Sequence, residues 1–184
     1  MKSTMNVLKE DSLAVLRGIK NETLKGLSID YGDDLEHTLS QMVILHFQGY
    51  EVSLWTTEKE NRPDEYPDLA EISVQKEMKI PSESQGTSLV FFEINKTIIN
   101  IEELIEHVTI QEPGEHPFTL TNTKALLFHL EKGTLVLEKD CHWSECWSVT
   151  LLKNQDTYAL YNQWEKRDVH DQTTYSVTID HLSI

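Results

Sequence analysis

Apolar residues in this chain recur at every second position, in short runs separated by turn-forming residues, and that spacing constrains the fold more than any other feature. Leu27, Ile29 and Tyr31 alternate with other residues in this way; so do Tyr50, Val52 and Leu54; Ala70, Ile72 and Val74; Trp147, Val149 and Leu151; and Tyr175, Val177 and Ile179. Side chains along a β-strand point to opposite faces in turn, so each run reads as a strand with one face buried. Met42–Phe47 is apolar on both faces, as expected of a central strand covered on both sides. Leu89–Ile94, Phe118–Leu120, Ala125–Leu130, Thr134–Leu137 and Tyr158–Leu160 extend the pattern. Turns are expected at Gln48-Gly49 and Asn154–Asp156, with longer breaks at Glu58–Asp68, which holds Pro63 and Pro67, and at Pro81–Thr87.

Two segments follow a helical period instead. Met5, Leu8, Leu13, Val15, Leu16 and Ile19 gather on one side of a helix over residues 5–20, which would pack on a sheet; Asp11-Ser12 would equally cap a shorter helix beginning at Leu13. Ile101, Leu104, Ile105 and Val108 sit at i, i+3, i+4 and i+7, with Asn100 as cap and Glu103 at the capping-box position. The fold expected is therefore mostly β, a β-rich α+β chain. Its antiparallel meanders form a sandwich or a partly open barrel, with an N-terminal helix and one short helix near 101–108. A length of 184 residues suits a single domain, or two closely packed β-meander lobes at about 22–80 and 88–184. The segments 43–58 and 126–140 both run apolar strand, glycine turn, alternating strand, which reads either as an internal repeat or as the ordinary likeness of two hairpins.

Charge bears on what such a fold can touch. There are 31 acids against 16 bases, a net −15. A field of that sign repels nucleic-acid phosphates and anionic membranes and attracts basic partners. The 39% of apolar residues, with four Trp, six Tyr and five Phe, marks a folded chain rather than an acidic disordered one. The opening residues lack a continuous apolar run and a cleavage site, and no segment approaches the length of a membrane span, so a cytoplasmic setting is expected. Two cysteines, Cys141 and Cys146, fit a reducing compartment.

The charge is unevenly placed. Residues 1–27 carry five bases and three acids, whereas 26–58 and 97–123 contain no Lys or Arg. Such stretches read either as a solubilising surface or as a docking face for a basic protein. On the second reading the candidate partner-binding residues are Asp30, Asp33, Asp34 and Glu36, then Glu102, Glu103 and Glu106, with Trp143 and Trp164 beside polar loops as aromatic anchors.

Motifs for chemistry are sparse. Cys141-His142-Trp143-Ser144-Glu145-Cys146 is the densest group of metal-ligand types, and Asp168 to Asp171 adds a histidine and two acids. A closed zinc site wants a second paired cluster, so neither a metal nor any cofactor is expected. Cys146 precedes a strand, where a thiol is usually inert packing, and adjacent acids such as Asp33-Asp34 point apart on a strand, so no catalytic residue is assigned. The segment from Gly114-Glu115-His116 to Gly133, with strands on either side, resembles the cupin pattern of glycine, histidine and a later glycine-turn strand. It lacks that family's His-x-His ligand pair, so the resemblance implies barrel-type strands without the metal. Phosphate loops, nucleophile elbows and His-Glu-x-x-His helices are absent. The function expected is an acidic, cytoplasmic protein-interaction module, of the inhibitor or immunity type, that binds a basic partner. The alternative is a small-ligand-binding or enzymatic β-barrel.

Overall fold

Strands form where the period-two runs place them, and their edges then determine the rest. The computed structural model describes residues 2–30, 34–36, 38–59, 69–76, 89–139, 146–153 and 173–184. Among them the order is β1 (Lys2–Asn6), α1 (Glu10–Ile19), β2 (Thr23–Ile29), β3 (Thr38–Ser40), β4 (Met42–His46), β5 (Glu51–Lys59) and β6 (Leu69–Lys76). There follow β7 (Val90–Gln111), β8 (Phe118–Leu130), β9 (Thr134–Lys139), β10 (Trp147–Leu152) and β11 (Thr174–Ser183). The chain is mostly β, as expected. The strands run in the order β3-β10-β9-β8-β7-β2-β4-β5-β6, with β1 beside β8 and β11 beside β7, and the sheet is not closed. Neighbours are antiparallel except β1 and β8, which run parallel from Lys2↔Phe118 to Asn6↔Asn122.

The 22-residue strand β7 joins two halves of this sheet. Its first part, Val90–Thr97, pairs with β2; its second pairs with β8 from Ile98 to Ile110 and with β11 from Glu102 to Gln111. Register shifts fall between Leu24 and Gly26 on β2, and on β7 between Ile98 and Asn100 and between Leu104 and Ile105. Such bulges bend and twist a strand, which lets the two halves share one core. Leu27, Leu45 and Leu54 from one half meet Phe128, Leu137 and Trp147 from the other, all fully buried, with Leu16 and Ile19 of α1. Val108, Ile110 and Leu120 form a separate small cluster toward the far end of β7 and β8.

Two expectations about helices are corrected. The N-terminal helix is real but spans Glu10–Ile19, because residues 2–6 pair with β8 as a strand and the exposed Met5 lies on that strand. Lys9 is its N-cap, without a side-chain hydrogen bond. Ser12 acts across the interface instead, where its buried Oγ accepts the backbone N–H of Val74, 3.2 Å away, on edge strand β6. The short helix near 101–108 does not exist; those residues are strand, inside β7. Both faces of β7 are buried there, Ile101 and Ile105 on one, Leu104 and Val108 on the other, so apolar residues depart from strict alternation and mimic a helical spacing. A helix of so few residues is marginal by itself, whereas pairing with β8 and β11 satisfies both backbone edges of a run rich in β-branched Ile, Val and Thr.

Candidate functional site

The docking acids proposed from sequence separate by burial. Asp30 is 9% exposed, Glu103 3% and Glu106 2%, so these three carboxylates are buried within the fold rather than presented on its surface. The reason is geometric. On a helix Glu102, Glu103 and Glu106 would share a solvent face, but on a strand Glu103 points to the face opposite Glu102 and Glu106, and both faces of β7 are covered at Glu103 and Glu106. Glu103 Oε1 accepts the Thr123 hydroxyl at 2.5 Å and the Leu8 backbone N–H at 3.4 Å, which ties the segment before α1 to β7 and β8. Asp30 accepts the Gln41 backbone N–H at 3.1 Å and pairs with Ser40, ordering the step from β3 to β4.

Asp34 and Glu36 are exposed, in a turn where the Asp34 carboxylate accepts the Glu36 N–H at 3.0 Å. Glu102 is partly exposed. Asp33, Trp143 and Trp164 lie outside the described residues, as do Cys141, His142 and the Asp168 to Asp171 segment; Cys146 is half-buried just before β10. The exposed turns of the two base-free stretches lie apart. Leu35 O accepts the Leu151 N–H at 2.9 Å, where β9 begins, whereas the 112–116 tip joining β7 to β8 lies at the opposite end of β8.

That tip belongs to the base-free stretch 97–123, but Glu112 and Glu115 were not among the partner-binding residues expected from sequence. Glu112 to His116 are all exposed, in a segment free of bases. The Glu115 N–H donates to Glu112 O at 3.2 Å, Gly114 takes φ +80°, and the Gln111 amide donates to Glu112 O at 3.1 Å and Glu115 O at 3.0 Å. Two acids are thereby held on a turn whose backbone is already ordered.

Charge is also present inside. Lys124 Nζ donates to Lys139 O at 2.8 Å and pairs with Glu138 at 3.1 Å; Lys139 Nζ donates to Ala70 O at 2.8 Å and to Asn122 Oδ1 at 3.1 Å. Asn6 Nδ2 also donates to Ala70 O at 2.8 Å. β1 and β9 occupy the same edge of β8 in succession, and this seam joins their ends to β6 in the other half of the sheet. Lys124 and Lys139 with Asp30, Glu103, Glu106 and Glu138 carry two positive and four negative charges, so −13 of the net −15 belongs to the rest of the chain.

Among the described residues, three hydroxyl–imidazole–carboxylate rows cross neighbouring strands. In the first, Ser28 Oγ lies 2.7 Å from His46 Nε2, and His46 Nδ1 lies 2.9 Å from Glu51 Oε1. In the second, His107 Nδ1 is 3.1 Å from Thr121 Oγ1 and its Nε2 is 3.0 Å from Asp180 Oδ2. In the third, Thr134 Oγ1 is 3.4 Å from His129 Nδ1, and His129 Nε2 is 2.9 Å from Glu102 Oε2. Glu102 Oε1 takes a second imidazole, His181 Nδ1, at 2.5 Å. Burial pushes the Glu102 pKa up, but the hydrogen bonds and charge of His129 and His181 outweigh it and hold this carboxyl below its ordinary value.

The first row was missed in the sequence, although its signal was there. A turn at Gln48-Gly49 sets His46 opposite Glu51 in the β4–β5 hairpin. Ser28 comes from the β2–β4 register, which no local pattern reveals. Among the described residues no three His, Cys, Asp or Glu side chains are grouped to hold a metal ion, and no helix is long and apolar enough to cross a membrane. Comparison with known protein families, with curated proteins and with solved structures finds no match for this chain.

Proposed function

We propose that this protein is an acidic interaction module that docks a basic protein partner, in the manner of an inhibitor or immunity-type protein, in the cytoplasm. The observation that supports this reading is the β7–β8 tip, where Glu112 and Glu115 are exposed on a turn locked by Gln111. An ordered loop loses less conformational entropy on binding, and a net −15 steers a cationic surface toward it. Asp34 and Glu36 belong to the proposal as a second exposed turn at the other end of β8, suited to a separate contact. The buried acids no longer belong to it.

The test is association kinetics with a basic partner captured from the native lysate and identified. Glu112→Gln with Glu115→Gln should lower the on-rate at low salt by about three- to tenfold and flatten its salt dependence, with little effect on dissociation. The fold should be unaffected, because exposed charges contribute only about 0–1 kcal/mol each. An unchanged on-rate in this double variant, with the partner still bound, rejects the tip as the docking site.

A further inference from the structure

Beyond docking, the face of strands β2, β4 and β5 opposite Leu27, Leu45 and Val52 holds an arrangement with its own chemistry. A carboxylate only accepts hydrogen bonds, so the contact of Glu51 Oε1 with His46 Nδ1 requires the proton on Nδ1. Nε2 then presents its lone pair, and the Ser28 hydroxyl, 2.7 Å away, donates to it. We propose that Ser28, His46 and Glu51 form an acyl-transfer relay acting on small carboxylic esters with an apolar acyl group. Ser28 is the nucleophile, His46 the general base and Glu51 the residue that positions the imidazole.

The two threonine rows serve as internal comparisons. In both, the carboxylate takes Nε2 and the hydroxyl lies on Nδ1, at 3.1 Å and 3.4 Å, and the hydroxyl is secondary. They staple strands. Of the three, the Ser28 row alone combines a primary hydroxyl, a short contact and Nε2 facing the oxygen. Its surroundings differ as well. Ser28 is 5% exposed and pairs with Phe91, whose exposed ring meets the His46 ring edge-on at 5.3 Å. That ring seats in a notch left by Gly26, where an added Cβ would come within 2.4 Å of both Phe91 Cζ and the Phe92 carbonyl oxygen. A flat apolar wall beside the nucleophile favours a hydrocarbon acyl chain, and a serine only 5% exposed favours a slim one.

The steps balance without a cofactor. Ser28 Oγ bonds to the ester carbonyl carbon while its proton passes to His46 Nε2. The tetrahedral adduct then expels the alcohol oxygen, which leaves with that proton. Water adds to the acyl-serine, giving a proton to Nε2, and Ser28 Oγ departs and recovers it. The sum is ester plus water giving acid plus alcohol.

Covalent capture tests the nucleophile directly. The full chain is treated with an alkyl fluorophosphonate, and adducts are located by peptide mass spectrometry while circular dichroism reports the fold. One adduct is expected, on Ser28; it should disappear in Ser28→Ala and on denaturation. Its rate should fall by about 10²-fold or more in His46→Ala, the usual scale of general-base assistance. In Glu51→Gln it should fall less and with a displaced pH profile. No adduct on natively folded protein overturns the proposal, as does labelling at Ser28 that is indifferent to His46, or labelling of Thr121 or Thr134 at equal rate.

Discussion

Glu102 receives an imidazole on each carboxylate oxygen, from His129 of β8 and His181 of β11, and so pins three adjacent strands through one residue of the middle one. Its folded pKa is depressed below the ordinary 4.5, so it contributes stability that is fully present above the unfolded value and is lost as pH falls through the folded one. Urea unfolding as a function of pH checks this. The wild-type chain should lose stability on acidification more steeply, below about pH 4.5, than Glu102→Gln. At neutral pH the variant should be less stable by about 1–2 kcal/mol, since charge-assisted bonds to two partners are weakened. Equal acid slopes in both proteins would mean that the two imidazoles do not hold this carboxylate in solution.

Among the elements, α1 and β7 show opposite relations between pattern and outcome. For α1 the apolar arc was legible from Leu13 to Ile19, and only its start moved, because residues 2–6 found a partner more than a hundred positions away that no local pattern announces. Ser12, read from sequence as part of a cap for a shorter helix, proves to be the helix's link to the sheet, accepting a β6 backbone N–H that an edge strand would leave open. Ser12→Ala should destabilise the protein by about 1 kcal/mol and speed hydrogen exchange at Val74 more than at the centre of β5. Uniform loss of protection would assign Ser12 to general packing instead. For β7 the helical spacing misled, since a strand buried on both faces carries no period of its own, and with it went any sign that Glu103 and Glu106 are buried. The His46–Glu51 contact was legible in principle from the Gln48-Gly49 turn. The Ser28 contact was not, because a long-range register supplies it.

Over the whole molecule, the outstanding quantity is charge of one sign. Among the described residues four acids and two lysines are buried, which leaves a formal −13 on the rest of the chain, and repulsion among these charges opposes the folded state. Moderate sodium chloride at neutral pH should therefore raise the thermal midpoint, by about 2–5 °C for a chain of this size, through screening alone. A midpoint that falls with salt would show that attractive surface pairs outweigh the repulsion.

The parallel pairing of β1 with β8 also bears on the order in which the molecule is made. Residues 2–6 leave the ribosome more than a hundred residues ahead of the strand they join, at 118–122. Closing so long a loop is entropically costly and cannot begin until that strand exists. Leu8, at the entrance to α1, is itself held by Glu103 and Thr123, so docking of the helix waits on the same late segment. During synthesis the β6 edge that Ser12 later caps stays uncovered, and that interval is when a nascent chain of this topology most needs protection from its neighbours.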